Sequence, residues 1–267
     1  MKNISQLHFY SLALVASNKK LTSKDIECTP IEHTTMLNGE LSDSITSIIA
    51  SAADASKANY STSVDSTTSV TATWLPISDS NRMTAPDVRR GELVILYRFA
   101  DTDKYWWQIL RNDMNLRKLE TVIYAFSGTT VEADPTDASN SYFMEVSTHR
   151  KYIHLHTSNA NGEPYQYDIQ INTEAGFIQI QDDQGNYIKL DTPAHQISMV
   201  NQDGSVVEVN KTNINLSCTD TINMSCKDLV VKAGSSISAD TSKTTLNSPA
   251  VNIKGMVKIK GGLAVGK

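Results

Sequence analysis

The sequence is poor in the residues that build large cores and cross-linked frameworks. Only 7% of its 267 residues are aromatic, and the last eighty, from Ile188 to Lys267, contain no Phe, Tyr or Trp. It has three cysteines, an odd number that gives no disulfide framework, and we expect all three to be reduced. No run approaches the ~20 apolar residues that a transmembrane helix needs, so none is predicted.

Charge and motif content exclude several classes of function. Charged residues make up 20% of the chain and the formal net charge is −5, which argues against a chain built to hold nucleic acid. No nucleophile elbow, phosphate-binding loop or zinc-hydrolase motif occurs. Glu132, Asp134 and Asp137 lie in a polar stretch without the apolar surroundings that would raise a carboxyl pKa, so we interpret them as solvated. Neither enzymatic activity nor a cofactor is expected.

The N-terminus superficially resembles a signal peptide. Leu7 to Ala16 is moderately apolar, but His8 and Tyr10 interrupt it, and a small residue three positions before the cleavage point is missing. Residues 8–15 instead alternate in polarity, which predicts a first strand. We therefore expect no signal peptide and assembly in the cytoplasm.

What the sequence has in abundance is a short apolar repeat. From Ile188 onward, two apolar residues separated by one other residue recur every six to ten positions, with Gly, Asn, Asp, Ser or Pro between the pairs. Side chains at i and i+2 point to the same side of a strand, and the intervening residues favour turns. Gln181–Asn186 and Asn201–Ser205 are accordingly interpreted as turns, because a calcium loop needs more acids at fixed spacing. Short strands and corners in repetition predict a β-solenoid.

This repeat is too narrow for a solenoid made of one chain, because each unit offers only two apolar side chains and none is aromatic. Two per unit suits a prism in which three chains wind around one axis and every strand edge pairs with a neighbouring chain. We therefore predict an intertwined, triple-stranded β-helix in a homotrimer over residues 172–267, with an antiparallel sandwich as the alternative. Its predicted core comprises Ile178, Ile180, Ile188, Leu190, Ile197, Met199, Val207, Val209, Ile214, Leu216, Ile222, Met224, Leu229, Val231, Ile237, Val251 and Ile253.

The first two-thirds of the chain predict two further zones of an all-β protein. Residues 1–127 contain five or six short candidate strands and one long excursion, which suits a barrel of the oligonucleotide/oligosaccharide-binding (OB) type. In this excursion, residues 42–69, the apolar spacing predicts a short helix, and the Ser/Thr-rich second part predicts a flexible loop. Residues 128–171 are predicted to form a collar, with paired strands at 142–146 and 151–156. The predicted helical positions are Ile45, Ile48, Ile49 and Ala52.

Two groups of side chains suggest binding chemistry but have simpler interpretations. His154 and His156 share one strand face and could form a metal pair, yet no nearby Asp, Glu or Cys completes a site, so no metal is predicted. Tyr105–Trp107, beside three arginines, could stack single-stranded nucleic acid on the barrel, but the acidic balance of the chain favours core packing. Those arginines are Arg98, Arg111 and Arg117.

The order of these parts resembles a known family. A barrel carrying Ala85-Pro86-Asp87-Val88-x-x-Gly91-Glu92-x-Val94 is followed by a collar and by Gly185-Asn186-Tyr187-Ile188-x-Leu190, which opens the aromatic-free repeat. The chain is similar in this respect to the central spike, the tail-baseplate puncturing protein, of contractile-tailed bacteriophages and to the related spikes of type VI secretion.

The resemblance implies a virion protein with a trimeric barrel held by baseplate hub proteins and a prism that breaches the host outer membrane. Some members carry a lysozyme domain between barrel and prism, but the collar is too short for one, so lysozyme activity is not implied. Some phage spikes carry an iron site formed by histidines at the apex. The apex of this chain has no histidine, so that iron is not implied either.

The distal end of the chain is basic although the chain is acidic. Residues 241–267 contain five lysines and no Asp or Glu. This charge could attract an anionic outer leaflet or a separate conical tip protein, or it could simply keep exposed strand ends from pairing. The residues predicted to dock at this apex are Leu263, Val265, Lys254, Lys258 and Lys260.

Two other functional classes stay open from the sequence. One is a trimeric tail fibre or adhesin with a β-helical shaft, although a sugar-binding tip normally needs aromatic platforms and this C-terminus has none. The other is an OB-type nucleic-acid-binding barrel with an oligomerising tail. The favoured function is the central spike, with no nucleic-acid partner.

Overall fold

The structure, a computed structural model, describes residues 6–33, 47–53, 59–65, 68–77, 80–110, 119–130, 134 and 136–262. Every regular element in these residues is a β-strand, which confirms the all-β class. The chain divides into two units, Met1–Thr221 and Ile222–Lys267. The strands are β1 (Leu7–Val15), β2 (Asp25–Pro30), β3 (Ser47–Ala53), β4 (Asn59–Asp65), β5 (Val70–Trp74), β6 (Leu93–Phe99), β7 (Tyr105–Ile109), β8 (Thr121–Ser127), β9 (Ser141–Ser147), β10 (Tyr152–His156), β11 (Tyr167–Asn172), β12 (Phe177–Asp182), β13 (Tyr187–Asp191), β14 (Gln196–Val200), β15 (Val206–Asn210) and β16 (Asn213–Ser217).

Five strands of the first unit close into a barrel in the order β1-β2-β5-β7-β6. Neighbours are antiparallel except β5 and β7, which are parallel. Burial alternates along these strands, so each strand turns one apolar face to the barrel interior. Ala13 and Val15 in β1, and Val94 and Leu96 in β6, are fully buried while the residues between them are not. The predicted barrel is therefore present, and its strand order is compatible with the OB type.

Trp107 fills the barrel interior. Its side chain is fully buried beside Trp74 and Cys28, and its Nε1–H donates to the carbonyl oxygen of Lys24 over 2.9 Å. Burial, reinforced by the charge of Glu27, raises the pKa of the Cys28 thiol to about 12. The thiol therefore stays protonated and packs as a small apolar group, and all three cysteines of the chain are free.

A hairpin occupies the excursion between β2 and β5, where the sequence predicted a helix and a flexible loop. β3 pairs antiparallel with β4 along its full length. The predictions for residues 42–69 are wrong at the described positions: Ile48, Ile49 and Ala52 lie in β3, and the start of the predicted loop lies in β4. Ile45 is outside the described residues. β-Branched and hydroxyl side chains explain the outcome, because they are poorer in helices than in paired strands.

The remaining strands of the first unit form a nine-stranded antiparallel meander in the order β16 to β8. The predicted pairing of the two strands around 142–156 is confirmed. The prediction that strand edges pair only with neighbouring chains is wrong for β12–β15, because both edges of each strand are bonded within the chain. Short turns explain this, since they close consecutive strands at a small entropic cost.

The turns of the meander use the residues that the sequence marked. Gly185 and Gly204 adopt φ values of 98° and 83° in the turns after β12 and β14, a region that residues with a Cβ rarely occupy. The Asp182 carboxylate accepts two backbone N–H bonds across the first of these turns. The interpretation of Gln181–Asn186 and Asn201–Ser205 as turns is confirmed.

Barrel and meander are joined through β8 and the segment that precedes β6. The backbone N–H of Met83 donates to the carbonyl of Ile123 over 2.8 Å. Arg82 and Glu120 form an ion pair whose side chains are only 14% and 12% exposed. β8, which the sequence placed with the barrel zone, thus belongs to the meander and is bonded to the residues that lead into β6.

The second unit has a different character. Its described residues, 222–262, contain no strand and no backbone–backbone hydrogen bond among themselves. Their apolar side chains are exposed, with Met224 and Ile237 at 71% and 70%. A chain without paired strands leaves its N–H and C=O groups without the backbone partners of a sheet, so this unit has the apolar pattern of strands but lacks their hydrogen bonds.

Candidate functional site

One face of the meander carries an unbroken double row of apolar side chains, which we call the apolar ladder. Each strand from β9 to β16 contributes two residues at i and i+2, and each residue lies directly opposite its counterpart on the next strand. The ladder comprises Met144, Val146, Ile153, Leu155, Ile169, Ile171, Ile178, Ile180, Ile188, Leu190, Ile197, Met199, Val207, Val209, Ile214 and Leu216.

The ladder is open to solvent in the single chain. Apart from the half-buried Ile171, its residues are 37–73% exposed, although Ile, Leu and Val are usually buried. The register makes the surface continuous: Ile188, for example, lies between Ile180 and Met199. Contiguous apolar surfaces of this kind are rare on monomers and mark interaction faces.

The structure brings most of the predicted core residues together. All those from Ile178 to Leu216 lie in the ladder, whereas its first six residues, in β9–β11, were missed by sequence reasoning. Those six follow the same i, i+2 pattern, but their strands also contain Tyr, Phe or His, unlike the aromatic-free repeat from Ile188 onward. The other predicted core residues lie exposed in the second unit and are Ile222, Met224, Leu229, Val231, Ile237, Val251 and Ile253.

The ladder widens into an apolar groove of about 310 Å³ at its β8–β11 end. Leu155 and Ile169 of the ladder line the groove together with Tyr167 and Phe126, and these two aromatic side chains are 52% and 56% exposed. The apolar face therefore begins broad and aromatic and continues as two aliphatic side chains per strand.

The opposite face of the same sheet, which we call the polar face, is mainly polar but includes aromatic residues such as Phe143 and Phe177. It holds a cluster of two histidines and an aspartate. His154 Nε2 hydrogen-bonds to Asp168 Oδ2, and His156 Nδ1 lies 3.1 Å from that same oxygen. The expectation that no carboxylate accompanies the two histidines is wrong, because Asp168 lies directly opposite His156 on β11. The two are twelve residues apart in the chain, so only the register of β10 against β11 brings them together.

The charge state of this cluster follows from its surroundings. Burial opposes the charged form of Asp168, but hydrogen bonds from His154, His156 and Gln170 outweigh it and hold the pKa of Asp168 below its usual value. Burial, with the charges of Asp168 and Glu145, raises the pKa of Tyr152 to about 12. Asp168 is therefore a carboxylate near neutral pH, suited to accept hydrogen bonds or bind a cation rather than to donate a proton.

The aromatic run on β7 is divided between core and surface. Trp107 is buried, which confirms core packing for that residue. Tyr105 lies 5.4 Å from the ring of Tyr10, and the Arg98 guanidinium lies over both rings at 5.4 and 5.7 Å. A cation that lies over two adjacent tyrosine rings stabilises the barrel surface by itself. The other two predicted platform arginines, Arg111 and Arg117, lie outside the described residues.

The acidic loop before β9 has no sign of acid–base chemistry at its described positions. Hydrogen bonds from Thr136 hold the pKa of Asp134 below its usual value, and those from Ser139 and Asn140 do the same for Asp137. Both are ionised at neutral pH and form local turn contacts. Glu132 lies outside the described residues.

The predicted apex is described in part. Lys254, Lys258 and Lys260 are exposed, as a docking or solubilising role requires. Leu263 and Val265 lie outside the described residues.

In the described part of the chain, no helix is long and apolar enough to cross a membrane. Comparison with protein-family models gave no matching family, and comparison with curated proteins gave no matching sequence.

Proposed function

We propose that this protein is a homotrimer in which three apolar ladders close on a common axis, and that it acts as the central spike of a contractile phage tail. The apolar ladder carries the proposal. A face of two aliphatic residues per strand, continuous over eight strands and exposed in one chain, requires cover. Further copies of the same chain supply a matching cover, because closed symmetric assemblies bury the same patch of every protomer.

Strand length favours three copies. β13–β16 have five residues each, and five residues span about 17 Å. In a triangular prism whose sides are about 17 Å long, the axis lies about 5 Å from each face. This distance is half of the ~10 Å that separates two packed sheets, so one layer of side chains from each face fills the interior. Four copies would place the axis about 8 Å away and leave a void. Two copies would leave both flanks of the narrow ladder in water.

The second unit supports a trimer independently. Pairs such as Ile222 with Met224 and Leu229 with Val231 continue the i, i+2 pattern, yet no strand partner exists within the described residues 222–262. Two further copies supply backbone partners as well as apolar cover. This arrangement is the intertwined, triple-stranded β-helix, which we propose for the second unit, while the meander forms three separate faces.

The spike role rests on the order of these parts. A barrel compatible with the OB type can seat in baseplate hub proteins, and a trimeric prism without aromatic sugar platforms suits mechanical puncture of the host outer membrane. The collar, residues 128–171, forms strands of the meander and leaves no room for an inserted lysozyme domain. The proposed protein is therefore a structural component of the virion baseplate rather than a wall-degrading enzyme.

Light scattering coupled to size-exclusion chromatography tests the assembly. We expect one species of about three times the 29.3-kDa chain mass, and a stable dimer or folded monomer overturns the prism.

The spike role is tested by immunogold microscopy with an antibody against the barrel, which should label the baseplate end of contractile particles. Labelling of fibres instead supports the adhesin, and tight binding of single-stranded DNA at low salt supports a nucleic-acid function.

Replacing Lys254, Lys258 and Lys260 together with Gln should leave the trimer intact and weaken its binding to anionic vesicles. Nine positive charges per trimer are removed, and their effect is largest at low ionic strength because about 0.1 M salt screens charges beyond about 10 Å. Co-sedimentation with phosphatidylglycerol vesicles at low and high salt measures this, with Lys232→Gln as the control. Unchanged binding at low salt would assign the three lysines to solubility alone.

A further inference from the structure

The polar face of the meander carries a compact set of nitrogen and oxygen donors. His154, His156 and Asp168 each offer one ligand atom, and these three atoms lie within 4.8 Å of one another. The two histidines sit at i and i+2 of β10, on one face, and Asp168 projects from the neighbouring strand. Their side chains are only 8–14% exposed, so the set is built into the sheet rather than displayed at random on its surface.

The hydrogen-bond partners of His156 favour a positive charge beside its ring. Its Nε2 lies 3.2 Å from the carbonyl oxygen of Ala138, and its Nδ1 lies 3.1 Å from Asp168 Oδ2. Both neighbours are acceptors, whereas a neutral imidazole has a single N–H to donate. The neutral ring can therefore satisfy only one neighbour: if Nδ1–H donates to Asp168, the Nε2 lone pair faces the Ala138 carbonyl, and if Nε2–H donates to Ala138, the Nδ1 lone pair faces the carboxylate. In the second arrangement a cation bound between Nδ1 and the carboxylate turns an unfavourable contact into a favourable one.

The surroundings match an outer shell of a metal site. A histidine ligand commonly donates its second ring N–H to a backbone carbonyl, as His156 can to Ala138. Gln170 Nε2 donates to the other carboxylate oxygen of Asp168 over 2.6 Å and fixes its orientation. The ring of Phe143 packs 4.8 Å from His154 and 5.3 Å from His156, which shields the cluster from water on that side.

We propose that His154, His156 and Asp168 bind one divalent first-row transition metal ion of the Zn²⁺ class in each protomer. Two imidazole nitrogens and one carboxylate oxygen suit this class, whereas Mg²⁺ and Ca²⁺ prefer all-oxygen sites. The ion clamps β10 to β11, and through His156 it ties both strands to the loop that contains Ala138. The collar is thereby stiffened where the broad, aromatic part of the sheet gives way to the narrow ladder.

Tag-free protein treated with EDTA tests this site. Calorimetric titration with ZnCl₂ should give one ion per protomer, and Co²⁺ should give visible absorption bands that Zn²⁺ displaces. Asp168→Asn and His156→Gln, which preserve size and hydrogen-bonding capacity, should each weaken Zn²⁺ binding by more than about 100-fold. Loss of an outer-shell partner alone weakens metal binding by at most about 100-fold, so a larger effect identifies these residues as ligands. His195→Asn is the control, because His195 is an exposed turn residue with φ of 55° that Asn tolerates.

Absence of saturable Zn²⁺ or Co²⁺ binding, or equal binding by Asp168→Asn and wild type, overturns the metal site and leaves a hydrogen-bonded His–Asp–His group. All three ligands come from one chain, so the site does not depend on assembly. A monomeric variant such as Ile180→Glu should therefore bind Zn²⁺ as wild type does, which separates the outcome from that of the proposed trimer.

Discussion

Ile180→Glu is expected to abolish the trimer, whereas Gln179→Glu leaves it intact. Ile180 lies in the ladder between Ile169 and Ile188, so the variant places three carboxylates inside the proposed prism. An unpaired buried charge costs several kcal/mol, and the threefold axis triples that cost. Gln179 faces the other side of β12, directly opposite Lys189, where a glutamate gains a cation as its cross-strand neighbour.

Light scattering of the two variants at matched concentrations measures the difference. The barrel has its own buried core around Trp107, so tryptophan fluorescence checks that Ile180→Glu dissociates as a folded chain rather than by general unfolding. Trimers of equal stability for both variants would show that the ladder is not interior. Dissociation by Gln179→Glu alone would place the assembly contact on the polar face.

Ile222→Asp is expected to fray the second unit, whereas Asn223→Asp should be nearly neutral. Ile222 begins the i, i+2 series in a unit whose described residues lack strand partners within the chain. In an intertwined β-helix each chain contributes the same position, so three carboxylates again meet around one axis and cost several kcal/mol each. Residue 223 points the other way along a strand and stays in solvent.

Limited proteolysis and amide hydrogen exchange detect this fraying. In the wild-type trimer the amides of residues 222–262 should be protected, because three chains supply the hydrogen bonds that one chain lacks. In Ile222→Asp the same amides should exchange rapidly and cleavage should concentrate there, while the barrel stays protected. Rapid exchange of this unit in the wild-type trimer would contradict the triple-stranded β-helix, whatever the behaviour of the variant.

The missed elements show where local patterns mislead. Ile48, Ile49 and Ala52 fit a helical spacing, but they form β3, because pairing with the Ser/Thr-rich residues of β4 outweighs the helical pattern. The His154–Asp168 contact has no signal within either strand. It depends on the register of β10 against β11, which cannot be predicted from the sequence because a loop of ten residues separates the two strands.

The sequence by itself determined most strands of the barrel and the meander and which of their side chains share a face, because strand periodicity and turn chemistry are local properties. The alternation of Ile178, Gln179 and Ile180 is enough to separate a polar from an apolar side, and glycines such as Gly185 mark the corners. Only the tertiary structure decided the pairing of those strands. It shows that the chain bonds to itself as a meander as far as Ser217 and has no such pairing within residues 222–262. Apolar pairs of the same kind occur before and after that boundary. Such a pair specifies which face of a strand is apolar, but it does not specify whether the backbone hydrogen bonds of that strand come from the same chain or from another copy.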